Sequence, residues 1–175
     1  MIFVDESSFA MSGNQFTTYA PRGRGVALAR YQSVTERVYG ISGITPEGDI
    51  HSAVQTRPFC SKHIVKFLKQ LLDELKGKIH LVWDNASIHF SELVKTFLRQ
   101  NQQAERLWLY ALPTYSPDFN PDEQVWNHLK NQKLIRMEFG HKTQLAQELE
   151  TQLQKLKDKP RLIGSFFQHP DVGFL

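Results

Sequence analysis

Cysteine is almost missing from this chain. Its one copy, Cys60, rules out an internal disulfide and fits a reducing compartment. Long apolar runs are missing too: stretches such as "IHLVW" are far too short to span a bilayer. The opening "MIFVDESS" has neither a basic n-region nor an apolar h-region, so it does not read as a secretory signal. No repeat, low-complexity tract or linker divides the 175 residues. These absences leave a soluble, cytoplasmic protein of one domain, with no membrane partner, as the expectation.

What is present can build a core. Hydrophobic residues make up 41% and aromatics 11%. The formal charge of +3 and the pI near 9.0 are mildly basic. That balance permits a nucleic-acid partner without requiring one.

Patterning predicts an α/β chain. "MIFVDE" predicts a strand over residues 1–6. "NQFTTYAPRGRG" reads as extended and then loop, broken by Pro21, Gly23 and Gly25. Two runs, "TERVYGISGI" and "DIHSAVQT", flank the turn signal "TPEG" and predict a hairpin. "SKHIVKFLKQLLDEL" has helical apolar spacing, with Ser61 as N-cap and Gly77 as stop. "KIHLVWD" is a buried-strand pattern, "SELVKTFLRQ" an amphipathic helix and "RLWLYALP" a strand closed by Pro113. "NPDEQVWNHLKNQ" and "KTQLAQELETQLQKL" predict two further helices. An antiparallel meander followed by helix-linked parallel strands makes a mixed sheet.

Three acids fall at element ends. Asp5 closes the first strand, Asp84 closes "IHLVWD", and Glu123 opens the helix after the last strand. If the first and fourth strands are parallel neighbours, Asp5 and Asp84 leave the sheet at one carboxyl edge, where open α/β sheets bind ligands. Clustered carboxylates repel, and their pKa values rise unless a cation sits among them. Oxygen ligands suit Mg²⁺, with Mn²⁺ as substitute. Two such ions about 3.5–4 Å apart clamp the attacking and leaving oxygens of phosphoryl transfer. Each acid also has a plainer reading. Asp5 is a polar strand end, Asp84 a turn former with Asn85, and Glu123 the N3 residue of a capping box begun by Asn120 and Pro121.

"FVDES", "YAPRG", "LVWDNASIHFS" and "LPTYSPDFNPDEQVWNHLK" together resemble the DDE catalytic domain of the mariner superfamily, and among its members the bacterial insertion-sequence transposases. The resemblance runs from Met1 to about Lys133. The last motif is its most specific part. "YAPRG" is weak, and Tyr19 stands where a tryptophan is common.

The resemblance implies a ribonuclease H-like five-stranded sheet of order 3-2-1-4-5 with flanking helices. It implies one catalytic domain over residues 1–175, with a core to about 133 and a helical part over about 141–175. Asp5, Asp84 and Glu123 are its catalytic and metal-holding acids, with Asp122 a neighbour. Arg22, Arg24, Asn85, Lys130, Lys133 and Arg136 are candidate DNA contacts; solvated loop and helix faces are their plainer reading. His89 is a family-motif residue and equally a structural histidine. His63, His80 and His141 read as structural or surface, and Trp126 as packing.

The family's usual amino-terminal helix-turn-helix region is expected to be absent and supplied by a separate polypeptide. The partners implied are transposon-end and target DNA and a second copy in an active homodimer, with nucleoid association in a bacterial cell. The rival functions are a purely hydrolytic ribonuclease H-like nuclease and a truncated DNA-binding remnant.

Overall fold

The computed structural model describes residues 1–11, 36–113, 119–134, 137 and 139–168. Strands β1 (Ile2–Ala10), β2 (Arg37–Ile44), β3 (Ile50–Gln55), β4 (Ile79–Trp83) and β5 (Leu107–Ala111) form one sheet of order β3-β2-β1-β4-β5. β1 to β3 pair antiparallel, and β4 is parallel to both β1 and β5. This is the mixed sheet and strand order expected.

Helices α1 (Ser61–Glu74) and α2 (Glu92–Gln103) cover one face. Their Ile64, Phe67, Leu68, Leu71 and Val94 pack on Ile2, Val4, Ile41, Leu81 and Trp83. Helices α3 (Asp122–His128), α4 (Lys142–Lys157) and α5 (Pro160–Phe166) cover the other. Val125, Trp126, Leu145, Leu149 and Leu153 meet Phe9, Val38 and Ile44 there. Trp126 presses so close to β2 that a Cβ on Gly40 would stand 2.8 Å from its ring.

Several boundaries differ from the sequence expectation. β1 runs four residues past Glu6, because β2 gives partners all along it, from Phe3↔Ile44 to Ala10↔Arg37. Cross-strand pairing outweighs the weak strand propensity of "SSFA". Asp5 therefore lies within β1 rather than at its end. The α1 cap is Cys60, one residue before Ser61. α3 gives way to a π-helical turn over Leu129–Lys133, closed by the Leu134 N–H donating to the Leu129 carbonyl at 2.9 Å. A 3₁₀ turn over Ser87–Phe90 was not anticipated, and α5 falls in the helical part expected over about 141–175 without having been separated from α4.

The parallel pairing of β1 with β4 covers Ile2↔Leu81 and Phe3↔Val82. Beyond it β1 continues with β2 alone while β4 ends at Trp83. The strands part there, and the site forms where they part.

Candidate active site

Asp5 and Asp84 each stand two positions past the Phe3↔Val82 pair, at the same carboxyl edge. Alternation along β1 turns Asp5 toward the α3 face, with its cross-strand partner Ser42, and turns Glu6 toward the α1/α2 face, with Ile41. Burial, and then the charges of Glu6, Glu123 and Asp84, push the Asp5 carboxyl up to about 8. Asp5 thus feels the charges of the other two predicted acids, Glu123 and Asp84, and of Glu6.

The start of α3 is strapped to β1 at Val4 and to β2 at Ser42. Asn120 Nδ2 donates to the Val4 carbonyl at 3.0 Å, and its Oδ1 accepts from the Asp122 N–H at 3.2 Å. Asp122 is fully buried, and the Ser42 hydroxyl reaches its two carboxyl oxygens at 2.9 and 2.8 Å. Burial first, then the charge of Asp5, holds Asp122 well above the usual carboxylate range. The half-buried Glu123 follows directly, so this strap sets its position. The side-chain cap falls on Asp122 rather than on Glu123, whose N–H donates to the Asn120 backbone carbonyl at 3.1 Å. Ser42 and the anchoring role of Asp122 escaped the sequence reading. The buried polar register Asp5↔Ser42 becomes visible only once β1 and β2 are paired.

Asp84 behaves opposite to the expectation for clustered acids. A hydrogen bond from His89 lowers its pKa, burial opposes that, and the Ala86 N–H lowers it further. The distances to Asp84 Oδ1 are 3.1 Å from His89 Nδ1 and 2.9 Å from Ala86 N. Asp84 is therefore a turn former as well as a member of the acid edge. His89 is 1% exposed and stacks on Trp83, with ring centroids 4.1 Å apart and planes at 11°. Its Nε2 lies 2.8 Å from Glu6 Oε1. Burial disfavours its charged form, but the hydrogen bonds with Asp84 and Glu6 outweigh this and raise its pKa to about 9.

The predicted DNA contacts separate. Lys130 is half-buried, with its ammonium 5.4 Å from the Phe9 ring centroid. Burial lowers its pKa, Asp5 and Glu123 raise it, and Arg37 lowers it, which places Lys130 beside the acids. Lys133 acts instead on His128, near Lys159. Asn85 Nδ2 donates to the Leu112 carbonyl at 2.6 Å and so ties the end of β4 to the end of β5. Arg22, Arg24 and Arg136 lie outside the described residues.

The donor set suits a hard divalent ion. Asp5, Asp84 and Glu123 offer oxygen only, and a cation would relieve the suppressed ionisation of Asp5. Among the described residues, the group whose ligand atoms lie within 4.8 Å of one another is Glu6, Asp84 and His89, not the three predicted acids. There both imidazole nitrogens already face carboxylates, which is the pattern of a bridging imidazolium. No described helix is long and apolar enough to cross a membrane.

The family model of the DDE superfamily endonucleases matches residues 1–146. Solved structures of Mos1 transposase share the fold. The mariner Mos1 paired-end complex with Mg is 16% identical, with a TM-score of 0.71 over 98% of this chain and 52% of that one. The Mos1 Strand Transfer Complex gives 16% and 0.66 over 99% and 53%. The catalytic domain of Mos1 mariner transposase gives 12% and 0.59 over 99% and 80%. The chain thus spans about half the length of the first two. At these identities the likeness is one of fold, ribonuclease H-like. No curated protein sequence matches the chain.

Proposed function

The chain belongs to the DDE superfamily endonucleases, and from that premise we propose that it is the catalytic domain of an insertion-sequence transposase, cutting DNA and joining the freed end to a target. The observation that carries this reading is the parallel β1/β4 register, which takes Asp5 and Asp84 to one sheet edge beside the start of α3, tied there by the Asn120–Val4 bond.

Asp5, Asp84 and Glu123 are the residues proposed to hold two divalent ions, Mg²⁺ or Mn²⁺. When bound, such ions neutralise phosphate charge and acidify the attacking water or 3′-hydroxyl. The protein's own part is placement. β1 and β4 deliver Asp5 and Asp84 to one edge. The Asn120–Asp122–Ser42 strap sets Glu123 against them. Lys130, beside Asp5 and Glu123, is suited to a phosphate of the strand being cut. Asn85, Lys133, Arg22, Arg24 and Arg136 are proposed as flanking DNA contacts. Residues 1–175 are proposed as one domain that acts on transposon-end and target DNA as a homodimer.

The test is nicking of duplex DNA in Mn²⁺. Wild type is expected to leave 3′-hydroxyl ends and, given a target, joined products. Folded Asp5→Asn and Glu123→Gln are expected to do neither. Undiminished nicking by both variants refutes the proposed site. Nicking without joining favours the hydrolytic nuclease over the transposase.

A further inference from the structure

His89 is held from three sides. Its ring lies flat on Trp83, Nε2 faces Glu6 Oε1 at 2.8 Å, and Nδ1 lies between Asp84 Oδ1 at 3.1 Å and the Asp84 backbone carbonyl at 3.3 Å. The 3₁₀ turn Ser87–Phe90 folds the chain back so that His89 lies over the strand that ends in Trp83. Glu6 can take part because alternation sends it to the face opposite Asp5. Neighbouring residues on β1 thus serve the two faces of the same edge.

Asp84 needs such a hold. It lies just past the end of β4, and its side chain is 52% exposed. A carboxylate so placed samples several rotamers, and each unproductive one weakens ligand binding. We propose that His89 is a positioning residue for the reaction: fixed by Glu6 and Trp83, it holds the Asp84 carboxylate in the orientation that binds the divalent ion. The proposal rests on the reading of Asp84 as a metal ligand. It assigns Glu6 a role one step further back, orienting the residue that orients the ligand. Outer partners of this kind change metal affinity about 10–100-fold when removed.

Mn²⁺ binding to the intact chain, read by the electron paramagnetic resonance of free Mn²⁺, tests this without DNA. His89→Ala is expected to weaken binding about 10–100-fold, with nicking restored by raised Mn²⁺. Glu6→Gln keeps an acceptor for Nε2–H and is expected to stay within a few-fold of wild type. Glu6→Ala is expected to fall with His89→Ala. Wild-type affinity in folded His89→Ala, alongside loss in Asp84→Asn, overturns the positioning role alone. Wild-type affinity in Asp84→Asn overturns the metal-ligand reading and this proposal with it. Should His89→Ala fail to fold, the Glu6 pair decides, because Glu6 lies outside the Trp83 stack. Wild-type affinity in Glu6→Ala overturns the proposal, and so does a Glu6→Gln loss as large as that of Asp84→Asn, which would make Glu6 a ligand itself.

Discussion

Replacing Asp5 by Asn should make the protein more stable when no metal is present. The Asp5 carboxyl titrates near 3.8 in the unfolded chain and is pushed up to about 8 in the folded one. An acid raised by folding favours the native state at low pH. Its cost starts as the pH passes 3.8, grows to about 8 and is constant above. At pH 7 the unfolded carboxyl is ionised and the folded one is not. The cost is then about three pH units at roughly 1.36 kcal/mol each, or roughly 4 kcal/mol. At pH 5 the same sum gives roughly 1.6 kcal/mol.

Asn never ionises, so Asp5→Asn removes this cost. Burying the amide and local relaxation offset part of the gain, so about 2 kcal/mol at pH 7 is expected. For a chain of this size that is a rise in Tm of roughly 4–8 °C. Urea unfolding in EDTA at pH 5, 6, 7 and 8 reads it directly. The gap between variant and wild type should widen with pH up to about 8. A gap of zero, or one independent of pH, refutes the claim that neighbouring acids and burial squeeze Asp5.

Asp84→Asn should do the reverse in EDTA and melt below wild type, because Asp84 gains from its His89 and Ala86 hydrogen bonds; a variant melting above wild type would contradict this. Asn120→Ala strands the Val4 carbonyl and frees the Asp122 N–H, so urea unfolding should show a loss of about 1–3 kcal/mol. Gly40→Ala forces a Cβ to 2.8 Å from the Trp126 ring, and the same assay should show about 1–3 kcal/mol lost to overpacking. Duplex DNA binding should fall steeply with salt, roughly 100-fold between about 50 and 200 mM if about four phosphates are contacted; a salt-insensitive titration would remove the phosphate contacts from the account.

The sequence was most readable where one period and one neighbour settle the structure. The helical spacing of Ile64, Phe67, Leu68 and Leu71 gave α1 to within a residue of its cap, and the apolar run before Asp84 gave β4. It was less readable where distant segments decide. Nothing local in "SSFA" predicts that β2 will extend β1, so Asp5 read as a strand end. The same gap hid the Asp5↔Ser42 register, and with it the buried Asp122–Ser42 contact. Sequence alone makes the acids equivalent and mutually repelling. Their environments differ because β1 alternation sends Glu6, not Asp5, toward His89. Asp5 is left to meet the acid cluster, while Asp84 gains an imidazole partner. The π turn that carries Lys130 and Lys133 is a backbone departure with no signature in apolar spacing.

Asp5, Asp84 and Glu123 are proposed to hold divalent metal at one sheet edge. Anomalous diffraction from crystals grown with Mn²⁺ tests it most directly. Density bounded by carboxylate oxygens of these three residues is expected, and it is expected to vanish in Asp84→Asn crystals. Density coordinated by the His89 ring, or none near Asp5 at saturating Mn²⁺, would contradict it.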